Sequence, residues 1–310
     1  MSRKHKGGRT PPRKIDSKPG RVVETVGRRV RVRDAEGERV CFLSGQRAVI
    51  GDEVRWVEAP GEGGKLVAVD ERRTALRRTD LRGKEQVLAA NLAGLVVVQS
   101  VQSPAFRPSL LDRYLVAANA EQLELVIVVN KVDLGVPDEV REHLDIRVGH
   151  GARVISTSAA KGDGLDELTE LLASGTERGP WAFVGGSGVG KTSLIARLLP
   201  DQDVGAIGDV SEYWGTGRHT TTGSILLALP TGGEIADSPG IRNFTPVGLT
   251  PETARDHFPG IAGLRCHYRD CMHRDGEDGC EVDGQVEAVL LASYRRLLED
   301  LVRIREFKRK

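Results

Sequence analysis

The sequence predicts a multidomain protein: an N-terminal OB-like β-barrel, a central α/β domain of the P-loop class and a C-terminal zinc-binding α-helical domain. Three observations predict it. Residues Gly185 to Ser193 read Gly-Gly-Ser-Gly-Val-Gly-Lys-Thr-Ser, the pattern G-x-x-x-x-G-K-[ST], set between an apolar run (Trp181 to Val184) and a helix-like one (Leu194 to Leu199). Between Gly20 and Arg73 the chain breaks into five short alternating segments with glycine-rich turns. Three of the four cysteines crowd, with two histidines, into residues 266 to 280.

The 310 residues are enough for two or three domains with a sizeable core. A composition of 39% hydrophobic and 29% charged residues describes a globular chain. No stretch nears the roughly 18 apolar residues of a membrane span, and the N-terminus has no apolar signal core. A cytoplasmic protein without membrane contact is therefore expected. The net charge of +1 conceals an asymmetry, because residues 1 to 20 carry seven Lys or Arg against the single acid Asp16. Such an arm is disordered by composition and suited to nucleic acid, although solubility alone is the plainer role.

The five strand-like segments are Arg21 to Val26, Arg28 to Arg33, Glu38 to Leu43, Glu53 to Val57 and Lys65 to Val69. Val30 and Val32 alternate with Arg29, Arg31 and Arg33, so one face is apolar and the other basic. Five short strands in this span fit a small closed barrel of the OB type, whose basic face suits RNA or is simply solvated. Cys41 reads as a small buried hydrophobe. Arg72 to Lys84 is basic and marks a connector.

An α/β pattern follows. Leu95 to Val98 and Leu123 to Val129 are β-branched runs suited to buried parallel strands, with a helix between them that Ser109 is placed to cap. A helix near Asp138 to Leu144, a strand at Arg153 to Ile155 and a helix over Leu165 to Leu172 complete the first half. After the glycine-rich loop, Gly205 to Gly223 shows no periodicity, and Ser224 to Leu229 with Glu234 to Ala236 reads as a hairpin.

The glycine-rich loop specifies a polyphosphate. Gly185, Gly186, Gly188 and Gly190, with Ser187, Val189 and Ser193, turn backbone N–H groups inward at a helix N-terminus; Lys191 reaches the outer phosphates and Thr192 ligates Mg²⁺. The tetrapeptide Asn130-Lys131-Val132-Asp133 specifies the base. A carboxylate at Asp133 accepts from the guanine ring N–H and exocyclic amine, an arrangement adenine does not offer. Asn130 tethers neighbouring loops, the Lys131 stem covers the ring, and Ser158-Ala159 presents a backbone N–H to the guanine carbonyl. Asp237, opening Asp237-Ser238-Pro239-Gly240, holds Mg²⁺ through water, and the Gly240 N–H meets the γ-phosphate. Thr221, or failing it Thr222, completes the Mg²⁺ shell.

These motifs stand in an unusual order, with Asn-Lys-x-Asp and Ser-Ala ahead of the phosphate loop. The chain thus resembles a circularly permuted GTPase. With the barrel, the Cys/His cluster and the runs Leu110 to Ala118, Gly217 to Thr222 and Asp237 to Arg242, it is similar to the small-subunit-dependent GTPase family RsgA (YjeQ) from about residue 20 onward. The resemblance implies GTP hydrolysis to GDP and phosphate, stimulated by the small ribosomal subunit late in its maturation, with rRNA contact and release after hydrolysis. A monomer is expected. Where many GTPases carry a water-orienting Gln after Asp-x-x-Gly, this chain has Ile241. The resemblance implies a substitute from the threonine loop, and His219 is the titratable residue there with suitable chemistry; packing or RNA contact is its plainer role. Intrinsic hydrolysis is then slow, on the order of 10⁻³ s⁻¹ or below. An RNA-binding chaperone that uses GTP only as an ordering ligand is the alternative.

Cys266, Cys271, His273 and Cys280 offer three thiolates and one imidazole, a closed tetrahedral set for one structural Zn²⁺. Six residues separate His273 from Cys280, one more than the family usually has, and His267 is the reserve ligand. Val286 to Phe307 reads as a helix with a basic end. The expected division is an arm over 1–20, the barrel over 21–75, a linker over 76–90, the permuted GTPase domain over 91–246 and the zinc-binding helical domain over 247–310.

Overall fold

The computed structural model describes residues 16–60, 63–79, 85–174, 178–200, 223–237 and 249–307. Alternation of apolar and polar residues builds the first part of it. Strands β1 (Lys18–Val26), β2 (Arg29–Asp34), β3 (Gly37–Phe42), β4 (Glu53–Glu58) and β5 (Gly64–Val69) pair in the order β1-β2-β3-β5-β4, and β4 returns to pair with β1. Closure leaves no free edge among the five. The inward set is Val22, Val30, Val32, Cys41, Val54, Trp56 and Leu66, all buried. A β-carbon on Gly64 would stand 2.6 Å from the Cys41 sulfur and 2.8 Å from the Trp56 ring, so the barrel closes this tightly only over glycine. Strand β1 begins at Lys18, inside the stretch whose composition reads as an arm.

Where the basic residues mark a connector, β6 (Ala75–Thr79) and β7 (Glu85–Ala90) form an antiparallel hairpin. Leu76, Leu88 and Ala89 are buried in the same cluster as the central sheet. Asn91, in the left-handed region at φ 52°, pins the hairpin base: its side chain accepts from Arg73 N at 2.9 Å and donates to Gly51 O at 2.9 Å.

Strands β8 (Gly94–Ser100), β9 (Glu124–Asn130), β10 (Arg153–Thr157) and β11 (Trp181–Gly185) are parallel, and β12 (Ser224–Ala228) with β13 (Glu234–Asp237) is an antiparallel hairpin whose β13 runs parallel to β11. The order is β10-β9-β8-β11-β13-β12. Both faces are covered, which is why β8, β9 and β11 carry continuous apolar runs rather than alternating. Leu95, Val97, Ile127 and Val184 pack under α1 (Pro108–Ala120) and α2 (Asp138–Gly149). Val96, Val98, Val128 and Phe183 pack under α3 (Leu165–Ser174) and α4 (Lys191–Leu198). Ser109 does not cap α1: the cap position is Arg107, with no side-chain cap bond, and Pro108 opens the helix. Proline's fixed φ and missing N–H suit that first position, and this outweighs the serine signal.

The last part packs α5 (Pro251–His257) and α6 (Ala288–Phe307) around Phe258, Ile261, Leu290, Tyr294, Leu297, Leu298 and Leu301, together with Val116 of α1. The Thr250 hydroxyl accepts from Thr253 N at 3.1 Å and so caps α5. Asp112 of α1 and Arg147 of α2 form a fully buried ion pair beside this junction, and Arg113 reaches Asp300 of α6 at 3.1 Å. Among the described residues, no helix is long and apolar enough to cross a membrane.

Candidate nucleotide site and metal centre

All five parallel strands end on one edge, so the loops after β8, β9, β10 and β11 and the last residue of β13 lie there, the place where open α/β sheets bind ligands. The loop after β11 turns through left-handed glycines, Gly188 at φ 78° and Gly190 at φ 98°, and Gly185 at φ 144° lets the strand end against Val98 O. A β-carbon at Gly185 would lie 2.3 Å from that oxygen. Ser187, Gly188, Thr192 and Ser193 are exposed, Gly186 is half-buried and Val189 is buried in the core under α4. Lys191 is buried and its ammonium donates to Gly185 O at 3.0 Å and Gly186 O at 2.6 Å. The N-terminus of α4 and this ammonium set a positive pole under the loop, where polyphosphate charge is favoured.

Asn130, 1% exposed at the end of β9, joins three segments. Its Nδ2 donates to Val189 O at 3.0 Å, and its Oδ1 accepts from Ala159 N at 3.1 Å and from Thr157 Oγ1 at 3.3 Å. In this structure the Ala159 N–H is directed at Asn130, and the Ser158 N–H donates to Asp163 O at 3.0 Å. Lys131 lies in the left-handed region at φ 66°, and its ammonium donates to Ser103 O and, at 2.9 Å, to Gly188 O, so its stem lies across the edge. A short 3₁₀ turn, Val132–Leu134, follows; Val132 packs on the core, and Asp133 Oδ1 accepts from the buried Ser158 Oγ at 2.6 Å. A carboxylate held this way keeps a defined orientation for the paired N–H groups of guanine.

Asp237 closes β13 and is 4% exposed. The register places Trp181 beside Ile235 and Ala182 beside Ala236, so Asp237 and the phosphate loop leave the same side of neighbouring strands. His219, Thr221, Thr222, Gly240 and Ile241 lie outside the described residues.

Other contributors had no motif to announce them. Arg197 of α4 donates to Ala159 O and Ala160 O, each at 2.9 Å, and clamps the Ser-Ala loop to the phosphate-loop helix. Tyr114 of α1 is fully buried and hydrogen-bonded to the Gly185 backbone, and burial holds its hydroxyl pKa well above the ordinary value. Both contacts join segments far apart in sequence, and periodicity carries no signal for them.

The four C-terminal ligand candidates converge. Their donor atoms lie within 4.8 Å of one another, a group that could hold a metal ion. His273 presents Nδ1, at 3.3 Å from Cys266 Sγ, 3.6 Å from Cys271 Sγ and 3.8 Å from Cys280 Sγ. Tetrahedral bonds of about 2.3 Å to sulfur and 2.0 Å to nitrogen would set donors roughly 3.5 to 3.8 Å apart, so the spacing fits. The longer His273-to-Cys280 interval is folded by Glu277, whose carboxylate accepts from Met272 N at 3.0 Å and Arg274 N at 2.8 Å. His267 lies outside the group and stacks edge-on to Tyr268. Helix α6 secures the ligand loop through Tyr294 Oη to Met272 O at 2.8 Å and Arg295 Nε to His273 O at 3.1 Å. Burial pushes the Cys271 thiol up to about 12, so a bound cation is what would hold it as thiolate.

Comparison with known proteins agrees with this arrangement. The RsgA GTPase family model matches residues 69–246, more than half of the chain. The small ribosomal subunit biogenesis GTPase RsgA of Chromohalobacter salexigens is 39% identical over 300 residues, covering 91% of this chain and 86% of its own. The crystal structure of YjeQ from Thermotoga maritima is similar with a TM-score of 0.74 and 28% identity, over 92% of this chain and 99% of that one. YloQ, described as a circularly permuted GTPase, shares the fold at a TM-score of 0.68 and 21% identity, over 94% and 98% of the two chains. The motif order, the converging loops and these likenesses lead to one conclusion: the chain belongs to the RsgA family of circularly permuted GTPases and is a GTP-hydrolysing enzyme.

Proposed function

We propose that this enzyme couples GTP hydrolysis to binding and release of the small ribosomal subunit during its late maturation, in the cytoplasm, and that the subunit stimulates hydrolysis. The observation that carries this reading is the loop convergence around Asn130, Asp133 and Lys191 in a chain whose relatives bear the name small ribosomal subunit biogenesis GTPase. Asp133 selects guanine; the phosphate loop holds the phosphates; Thr192, Asp237 and Thr221 hold Mg²⁺; the Gly240 N–H meets the γ-phosphate. The Cys₃His group holds one structural Zn²⁺, which leaves no open position for chemistry.

The barrel supplies an RNA face narrower than its arginine content implies. Arg31 pairs with Glu24 at 2.9 Å, Arg33 with Glu38 at 2.9 Å and Arg39 with Asp34 at 3.0 Å. Arg29 instead lies over the ring of exposed Phe42, with its guanidinium 5.2 Å from the centroid, on a groove that Arg28 also lines. An exposed aromatic beside arginines suits unstacked bases and phosphate.

Because Ile241 cannot orient a water, His219 takes that part when the subunit completes the site. GTP hydrolysis measured with and without purified small subunits tests the reading. A large increase with subunits is expected, and its loss in His219→Ala with GTP binding retained. An unchanged rate with subunits would favour the tether that uses GTP only as an ordering ligand, and unchanged single-turnover hydrolysis in the variant would remove His219 from the mechanism.

A further inference from the structure

The barrel is not joined to the nucleotide domain by chain alone. Strand β1 pairs antiparallel with β12, Glu24 opposite Ile225 and Thr25 opposite Ser224, so barrel and central sheet form one sheet of eleven strands. Ile225 is in turn opposite Asp237. One cross-strand row therefore runs from the barrel through Ile225 to the residue at the nucleotide edge. The far end of the β12–β13 hairpin is fixed as well. Glu234, which opens β13, accepts from Arg21 Nη1 at 2.8 Å and from Arg33 Nη1 at 2.7 Å, and its side chain is 15% exposed. Both arginines belong to the barrel, and the carboxylate comes from the strand that ends in Asp237 three residues later.

We propose that Arg21, Arg33 and Glu234 are a positioning clamp through which the barrel sets the place of Asp237, so that whatever the barrel docks on is linked to the Mg²⁺ held with the nucleotide. The inference rests on the reading of Asp237 as a Mg²⁺-holding group. A β-hairpin gripped at both ends moves as a body, and shifting it displaces the Asp237 carboxylate at its open end. Linkage is reciprocal: a barrel ligand that favours one hairpin position changes Mg²⁺ affinity, and Mg²⁺ changes affinity for that ligand by the same factor. None of the three side chains is assigned a contact with nucleotide, which makes the clamp separable from the chemistry.

The test titrates Mg²⁺ against retention of a fluorescent guanosine diphosphate by the full-length protein. Glu234→Gln, the pair Arg21→Gln with Arg33→Gln, and all three together are compared with the native chain, and Arg33→Lys keeps the charge. The half-saturating Mg²⁺ concentration is expected to rise about fivefold in each, within the roughly two- to thirtyfold range of long-range coupling. The triple variant should do no more than either, because one interaction is being removed twice, and Arg33→Lys should lie near the native value. A merely structural contact would lower the melting temperature and leave the Mg²⁺ midpoint unmoved, and that result overturns the clamp. Additive effects overturn it too. Asp237→Asn separates the premise: an unmoved midpoint there removes the Asp237 reading and the clamp with it, whereas a large shift there beside native midpoints in the clamp variants removes the clamp alone.

Discussion

Replacing Asn130 with alanine tests the centre of the site most directly. The side chain is 1% exposed and makes three hydrogen bonds, to Val189 O, Ala159 N and Thr157 Oγ1, across sequence separations of 59, 29 and 27 residues. Each buried bond is worth about 1 kcal/mol net. The Thr157 hydroxyl keeps a contact with Val129 O at 3.5 Å, and Ala159 is only half-buried, so the uncompensated loss falls on Val189 O and on the tie between loops. About 2 to 3 kcal/mol of unfolding free energy should be lost. The phosphate loop and the base loop also lose their common pin, and the entropy of ordering them is then charged to binding, so GDP affinity should fall about tenfold or more. Denaturant melts and equilibrium titration with fluorescent GDP measure the two terms. Asn130→Asp, which retains the acceptor but aims a carboxylate oxygen at Val189 O, should fare no better. Native-like GDP affinity, within about twofold, together with an unfolding free energy within about 0.5 kcal/mol of native, would refute the pin.

Two further outcomes follow from the same geometry. Asp133→Asn exchanges a double acceptor for a group with a donor, which matches the C2 carbonyl of xanthine, so competition binding should show preference moving from guanine to xanthine nucleotides; a variant that still prefers GDP would place base recognition elsewhere. Chelation, or Cys271→Ser, should unfold the α5–α6 region, since a structural zinc contributes roughly 10 to 16 kcal/mol to a small domain, and metal content near one zinc per chain should be lost in parallel. A native circular dichroism spectrum after complete metal removal would show that the core around Phe258 and Tyr294 stands without it.

Much of the site was legible because its chemistry is local. Gly185 to Ser193, Asn130 to Asp133 and the Cys/His group each carry their meaning in spacing, and the β-branched runs of β8, β9 and β11 announce strands buried on both faces. Local sequence signals are silent or misleading where contacts are non-local. Ser109 looked like a cap because a side-chain oxygen precedes an apolar run, yet Pro108 decides where α1 starts. The Arg72 to Lys84 stretch looked like a connector because its charges dominate, while Leu76, Leu88 and Ala89, too few to form a pattern, bury a hairpin against the sheet.

The sequence by itself is enough to predict ligand classes: a polyphosphate from glycines and Lys191, guanine from a carboxylate at Asp133, and a metal ion for the group of three thiols and an imidazole. Residue type alone limits what those groups bind. Tertiary structure alone decided which donors face the ligand and which hold the loops. It turned Ala159 N toward Asn130, selected His273 Nδ1 over His267, and spent most barrel arginines on carboxylates. It also fused barrel and nucleotide domain through β1 and β12, with Glu234 held by Arg21 and Arg33. The physical reason is that hydrogen bonds and ion pairs reach about 3 Å, and only the folded chain brings residues some 200 positions apart within that distance.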